Sequence, residues 1–250
     1  MIVMKTLLIR YSPLLLLAAA WEVAPRLGII DPETLPPLSA VARAWFRLLR
    51  DGDLAVNGLS SLQNLAVGLA LGIVIGVVLG ISMAWYRPVE VLINPLVRVL
   101  YPLPRSALIP VMILWFGLGA ASKIAAVFLG CLLPVVIGAY NGARGVEQVL
   151  VWSALAAGAK RHQVLWDVVL PAAMPEILAG IRNALALSFI LLIAAELLIS
   201  QHGMGYLISS FGEGGAYDAM FAGVFTVSAV GFLADRAYLL LMGWALRWRG

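Results

Sequence analysis

Apolar stretches long enough to cross a bilayer alternate along this chain with short polar joints. Residues 7–24 are apolar apart from Arg10, Ser12 and Glu22, and Trp21 and Pro25 suit an interfacial end. They read as a retained first span, although Ala18-Ala19-Ala20 also fits the small-residue cleavage site of a signal peptide. Residues 28–57 form the longest polar linker. Within it Pro36-Pro37 initiates, Ser39 is a candidate N-cap, and Val41, Trp45, Leu48 and Leu49 make an apolar stripe opposite Arg43, Arg47 and Arg50. That pattern predicts a helix lying on the membrane surface.

A second span covers 59–85 and carries Gly68, Gly72, Gly76 and Gly80 at four-residue intervals, on one helix face where a neighbouring helix can approach closely. The third, 91–116, is interrupted by Pro95, Pro102, Pro104 and Pro110 and contains Arg98 and Arg105. The fourth covers 123–140, with a kink expected at Pro134, and the fifth 177–199, with Arg182 near its start and Glu196 near its end. After a Gly-rich connector at 200–218, a sixth span runs over 220–241, and the adjacent Asp235 and Arg236 read as marking its end.

Composition agrees with this pattern. Of 250 residues, 62% are hydrophobic and 12% charged, and the mean hydropathy is +0.98. Soluble domains carry about 25% charged residues, so the chain is an all-α integral membrane protein and water-soluble enzyme classes drop out. The net charge of +4 reflects membrane orientation rather than nucleic-acid binding. Lys5, Arg10, Arg87, Arg144, Lys160, Arg161, Arg247 and Arg249 fall on one side of a six-span arrangement, which predicts both termini cytoplasmic. The arginines of the 28–57 linker are the exception. Cys131 is the one cysteine, and the two histidines have no cysteine or carboxylate cluster near them, so neither a disulfide nor a metal site is expected. No GxxxxGK[ST] loop occurs; whatever energy source the protein uses is not bound by its own phosphate loop.

Lipid cannot satisfy freed backbone groups, so the proline-broken third span belongs in protein or along a watery path. An arginine there reads as functional. Arg105, with Ser106 and Pro110 beside it, is therefore a candidate pathway residue, and Glu196 is either a second one or the acid that neutralises Arg105.

The longest polar interruption of the second half is WSALAAGAKRHQVLWDVVLPAAMPEILAGIR, 152–182. Ala154 to Ala157 favour helix, Gly158 permits a bend, and Lys160, Arg161, His162 and Gln163 form a solvated rim. Val164, Leu165, Val168 and Val169 recur at helical spacing, and Pro171 and Pro175 are expected to stop that second short helix. The segment resembles the EAA loop of ABC-importer permeases: Glu-Ala-Ala, three residues, Gly, nine residues, Ile, one residue, Leu-Pro. Ala154 fills the second Ala, Gly158 the Gly, Val168 the Ile, and Leu170-Pro171 the ending, with Ala159, Lys160 and Arg161 following the bend, while Trp152 and Ser153 replace Glu-Ala. PLPRSALIPVMILWFGLG at 102–119, LPAAMPEILAGIR at 170–182, AAE at 194–196 and GMGYLI at 203–208 are similar to the nitrate/sulfonate/taurine branch.

The resemblance implies a type I ABC importer permease fold with six transmembrane helices in a bacterial inner membrane. It divides the chain into 1–58, a first span plus interfacial helix, and 59–250, the permease domain with its coupling loop at 145–176. It also implies a second copy of the chain, two cytoplasmic ATPases that hold ATP and Mg2+, an extracytoplasmic substrate-binding protein, and a small, mostly anionic solute. A secondary transporter or channel built on Arg105 and Glu196 is the rival, but no internal repeat is evident. A membrane enzyme would need a nucleophile–base or metal set, and none stands out.

Overall fold

A computed structural model describes residues 2–198 and 200–249, with side chains described over 12–198 and 200–248. The side chains of Lys5, Arg10 and Arg249, and all of Ile199, lie outside the described residues. The chain runs as α1 (Ile2–Arg26), α2 (Leu38–Asp51), α3 (Asp53–Trp85), α4 (Arg87–Leu100), a short 3-10 turn (Arg105–Leu108), α5 (Ile109–Phe116), α6 (Ala120–Arg144), α7 (Gln148–Ala156), α8 (Arg161–Gln163), a π-helical turn (Val164–Val169), α9 (Leu170–Leu198), α10 (Met204–Glu213) and α11 (Tyr217–Ala245). Among the described residues, four helical stretches are long and apolar enough to cross a membrane: α3, α6, Arg161–Leu198 and α11. The proline-rich third span is not one helix: α4 and the segment Arg105–Phe116 meet at 97°, and counting them as one broken span makes five. The freed backbone around Pro102 and Pro104 is where the bend falls.

The chain forms two compact units, Met1–Ser60 with Gln201–Ala229, and Ser61–Ser200 with Val230–Gly250. In the first, α2 is fixed by protein rather than by lipid alone. Pro37 stands at the N-cap position. Ser39 is not the cap; its backbone N–H donates to Glu22 of α1 at 2.9 Å. The carboxylate of a neighbouring helix thus satisfies an orphan donor at the positive end of α2. The apolar stripe of α2 is buried through Val41, Ala44 and Leu48, while Trp45 Nε1 donates to Thr226 Oγ1 of α11 at 3.0 Å. Much of the face expected on the membrane surface is therefore covered by the protein.

The second unit is built on α3, α6 and α9. The four glycines of α3 meet α6: an added Cβ would fall 2.8 Å from the Ile124 carbonyl oxygen at Gly68, 2.9 Å from Cys131 Cβ at Gly72, 2.8 Å from Val135 Cβ at Gly76 and 2.5 Å from the Val136 carbonyl oxygen at Gly80. On its other side α6 meets α9 at backbone distance, where a Cβ on Gly138 would fall 2.9 Å from Gly180 Cα and one on Gly142 would fall 2.8 Å from the Ala173 carbonyl oxygen. Leu65, Val127, Cys131, Val135, Ala184 and Leu192 form the core between the three helices.

Three local expectations change here. Pro171 and Pro175 do not end a helix, since α8, the π turn and α9 run on as one stretch, Arg161–Leu198. In the π turn hydrogen bonds reach five residues back, as from Leu170 N–H to the Leu165 carbonyl, and the wider turn makes room for the Pro171 ring. Asp235 and Arg236 do not end the last span either. They sit inside α11, where Arg182 of α9 donates to both carboxylate oxygens of Asp235 at 2.8 and 3.0 Å and Arg236 lies 4.9 Å over the Phe232 ring. The fourth span, expected from 123, begins at Ala120 instead, so Lys123 is buried in the first turn of α6 and donates from Nζ to Ser200 Oγ at 2.6 Å.

Candidate functional site

Two features of the second unit can do mechanical and chemical work: the bent segment 148–169 and the cavity beside α9. The bend is a helix C-terminus closed by a left-handed glycine. Gly158 has φ +92°, Ala159 N–H bonds the Ala154 carbonyl at 3.0 Å, and Gly158 N–H bonds the Leu155 carbonyl at 3.0 Å. This reciprocal pair is the Schellman arrangement, and it accounts for a glycine at 158, four residues after Ala154. A side chain at 158 would meet no atom within 4 Å, so the requirement is conformational rather than spatial. Beyond the bend, Gln163 Oε1 accepts from the Lys160 N–H at 2.7 Å and starts the next turn. Val164 and Val169 are buried, and Val168 and Leu170 are half-buried. The apolar residues singled out by periodicity therefore pack inward.

What faces outward is different. Trp152 and Trp166 are 62% and 64% exposed, on either side of the bend, with Lys160 and Arg161 exposed between them. Large aromatic rings beside cations, left bare on a segment held by a fixed bend, form a surface suited to a protein partner. Trp152 occupies the position where the resembling loop carries Glu. Upstream, the segment is anchored through Glu90, a residue sequence reading passed over. Tyr140 Oη donates to Glu90 Oε1 at 2.7 Å and Arg87 Nη1 to Oε2 at 2.7 Å, with Arg144 Nη2 3.9 Å from Oε1. The cluster ties the start of α4 to the end of α6, just before α7.

The cavity measures about 500 Å³ and is lined by Tyr101 and Arg105, by Pro134, Ile137, Gly138 and Asn141 of α6, and by Glu176, Ala179, Gly180, Asn183, Ala186 and Leu187 of α9. Arg105 is half-buried and makes no ion pair among the described residues. Glu176, Asn141 and Asn183 share its cavity, and none was singled out from sequence. Their signal was helical spacing: residues 176, 179, 180, 183 and 187 lie along one face of α9. Ser106 and Pro110 are exposed next to Arg105 but do not line the cavity. Pro110 stands in the first turn of α5, where its missing N–H costs little.

The structure does not bring Arg105 and Glu196 together. Glu196 is 1% exposed and accepts hydrogen bonds from Ser61 Oγ of α3 at 2.9 and 2.8 Å. It is held between helices, away from the residues that line the cavity.

A proline-broken helix pair, a glycine-bent segment leading into a long span and a cavity along that span thus belong to one unit of a multi-helix membrane chain. Residues 72–243 match the family described as the binding-protein-dependent transport system inner membrane component. The chain belongs to that family. As a permease component of an ABC importer it is a multi-pass inner-membrane protein. The permease is 33% identical over 242 residues to the taurine transport system permease protein TauC of Escherichia coli, across 95% of this chain and 88% of that one. It is 35% identical over 231 residues to the putative aliphatic sulfonates transport permease protein SsuC of Bacillus subtilis, across 92% and 84%. With the formylaminopyrimidine transport permease protein ThiX of Halalkalibacterium halodurans it shares 30% over 240 residues, across 94% and 93%. Among solved structures, an inward facing form of the MetNI methionine ABC transporter superposes with a TM-score of 0.63 at 18% identity, over 75% of this chain and 93% of that one. The fold is that of a type I ABC importer permease.

Proposed function

We propose that the permease imports a small sulfonate-type solute by alternating access, driven by ATP and Mg2+ held in two cytoplasmic ATPases. Two copies of the chain pair around the path, both termini lie in the cytoplasm, and an extracytoplasmic binding protein delivers the solute. The segment 148–171, carrying Ala154, Gly158, Ala159, Lys160, Arg161, Val168, Leu170 and Pro171, is the ATPase dock. The observation that carries this reading is continuity: past the Gly158 bend, the dock runs from Arg161 without a break into α9, whose Glu176–Asn183 face lines the cavity with Arg105. A displacement of the dock is then a displacement of the cavity wall.

The names of TauC and SsuC favour a sulfonate, and Arg105 supplies a cation for its head group. Glu176 on the same cavity adds a carboxylate, so a solute bearing both an ammonium and a sulfonate satisfies more of the wall than a simple anion does. Glu196 acts at a distance from the solute, holding α9 to α3 through Ser61.

The test is Gly158→Leu, in the permease reconstituted with its ATPase and binding protein. A β-carbon at φ +92° is strained by roughly 1–2 kcal/mol, enough to open the bend but not the fold. ATP hydrolysis should persist while solute uptake per ATP falls at least tenfold, and Gly158→Asn, which tolerates the left-handed region, should retain most of it. Normal uptake by Gly158→Leu removes the docking role, and uptake without any ATPase favours a secondary transporter or channel.

A further inference from the structure

The basic stripe of α2 remains without an assignment, and another face of the same helix lines a groove. Leu38, Val41, Ala42 and Trp45 of α2 and Ala222, Phe225 and Ala229 of α11 line an apolar space of about 370 Å³ in the first unit. At about 100° per residue, Arg43, Arg47 and Arg50 fall within a roughly 60° sector of α2, away from the groove. Leu49 falls within the arc of the groove and Phe46 between groove and arginines, and both are bare, at 47% and 66% exposure. Moving around the helix, the surface passes from buried core to apolar groove, to exposed apolar side chains, to cations. Arg47 lies 3.5 Å from Asp218. Arg43 and Arg50 have no carboxylate partner among the described residues; the hydrogen bond given for Arg43 is from Nε to its own helix at the Ser39 carbonyl.

Two tryptophans set the depth. Trp21 Nε1 donates to the Pro36 carbonyl at 3.0 Å and Trp45 Nε1 to Thr226 at 3.0 Å, so both indoles are fixed at the level of the groove. Indoles concentrate where acyl chains meet head groups. An apolar groove at that depth, continuous with bare Phe and Leu that lead round the helix to Arg43 and Arg50, is complementary to a molecule with an acyl chain and a negatively charged head. A water-soluble acidic protein would match the arginines and leave Phe46, Leu49 and the groove uncovered.

We infer that α2 and the first half of α11 form a binding site for an anionic phospholipid, with one acyl chain in the groove and the phosphate at Arg43 and Arg50. The site is separate from the cavity at Arg105 and independent of which solute is carried. It also accounts for arginines that otherwise contradict the charge asymmetry of the chain, since they answer to a lipid head group rather than to orientation.

The test uses the purified full chain in detergent, with phosphatidylglycerol or phosphatidylcholine carrying a photoactivatable group on the acyl chain, and labelled peptides mapped by mass spectrometry. Label should concentrate in residues 38–50 and 222–229, with phosphatidylglycerol favoured about fivefold per engaged arginine. Arg43→Gln with Arg50→Gln should abolish the preference while leaving phosphatidylcholine labelling of the groove intact. Ala42→Phe, at an exposed position on the groove, should reduce labelling by both lipids. Equal labelling by the two lipids, or a preference untouched by the double substitution, overturns the site. So does unchanged lipid preference accompanied by weakened binding of the soluble partner protein, which would give the arginines to that protein.

Discussion

Replacing glycines of α3 by alanine one at a time tests whether the α3–α6 contact is as close as the structure has it. At Gly80 a Cβ would lie 2.5 Å from the Val136 carbonyl oxygen and 2.6 Å from Ala139 Cβ, whereas ordinary contact begins at 3.4 Å. The helices must therefore part by about 0.9 Å, and the obstructing atom is backbone, which cannot rotate away. Overpacking of this kind costs typically about 1–3 kcal/mol. Against it stands the helix preference of alanine over glycine, about 1 kcal/mol. At Gly80 repulsion wins, with a net loss of about 2 kcal/mol at the unyielding end of that range. At Gly72 the nearest atom is Cys131 Cβ at 2.9 Å and the nearest backbone atom lies at 3.4 Å, so the two effects should nearly cancel. Gly243, in α11, has nothing within 4 Å and is the control: alanine there should be neutral or stabilising. In detergent, the apparent melting temperature of Gly80→Ala should fall about 4–8 °C below that of Gly243→Ala, with Gly72→Ala between. If Gly80→Ala melts with Gly243→Ala, the helices are not in backbone contact and the reasoning fails.

Arg182→Gln and Asp235→Asn should each lower stability, and the double replacement should lose less than their sum; additive losses would show that the α9–α11 ion pair contributes nothing. Pro171→Ala restores a backbone donor and removes the ring that the π turn accommodates, so melting should hold or rise while uptake per ATP falls as the dock turns relative to α9. Loss of stability with intact coupling would refute that account. Glu176→Gln should slow uptake of an aminosulfonate several-fold more than that of an alkanesulfonate in proteoliposomes, and equal effects would remove Glu176 from solute binding.

How far the fold was legible depends on how local each signal was. The glycine ladder of α3 and the Gly158 bend depend on one helix or one turn, and four-residue spacing or a single positive φ suffices to see them. Pro171 misled because a proline in isolation removes a helical hydrogen bond, while a π turn placed just before it offers the ring room. The site residues were harder. Glu176 sits between Pro175 and a buried Ile177, a place that reads as a helix start, and only the continuity of α9 puts it on the face that carries Asn183. Arg105 and Glu196 invited pairing because opposite charges in an apolar setting attract, yet Ser61, more than a hundred residues away in sequence, binds the acid instead. The partners of α2 show the same limit: its amphipathic pattern was plain, but whether lipid or Thr226 of α11 would meet Trp45 was not a property of the pattern.

The close contacts also constrain how the cavity can open. α3 lies against α6 with no room for a Cβ at Gly68, Gly76 or Gly80, and α6 lies against α9 with none at Gly138 or Gly180. The short α5 is fixed to the same pair, since Ile109 and Met112 pack with Ala126, Leu191 and Ala195. Packed interfaces of this density slide or separate as wholes rather than deform continuously. The walls that carry Asn141, Glu176 and Asn183 are therefore packed as one body, and a push at the proposed dock would not widen the cavity by moving α6 against α9. It can only carry the lined face past whatever closes the open side. On the pairing proposed above, a second copy of the chain would supply that surface. The alternating access proposed above would then need no hinge inside the second unit, because the glycine contacts would make the proposed dock and the cavity move together.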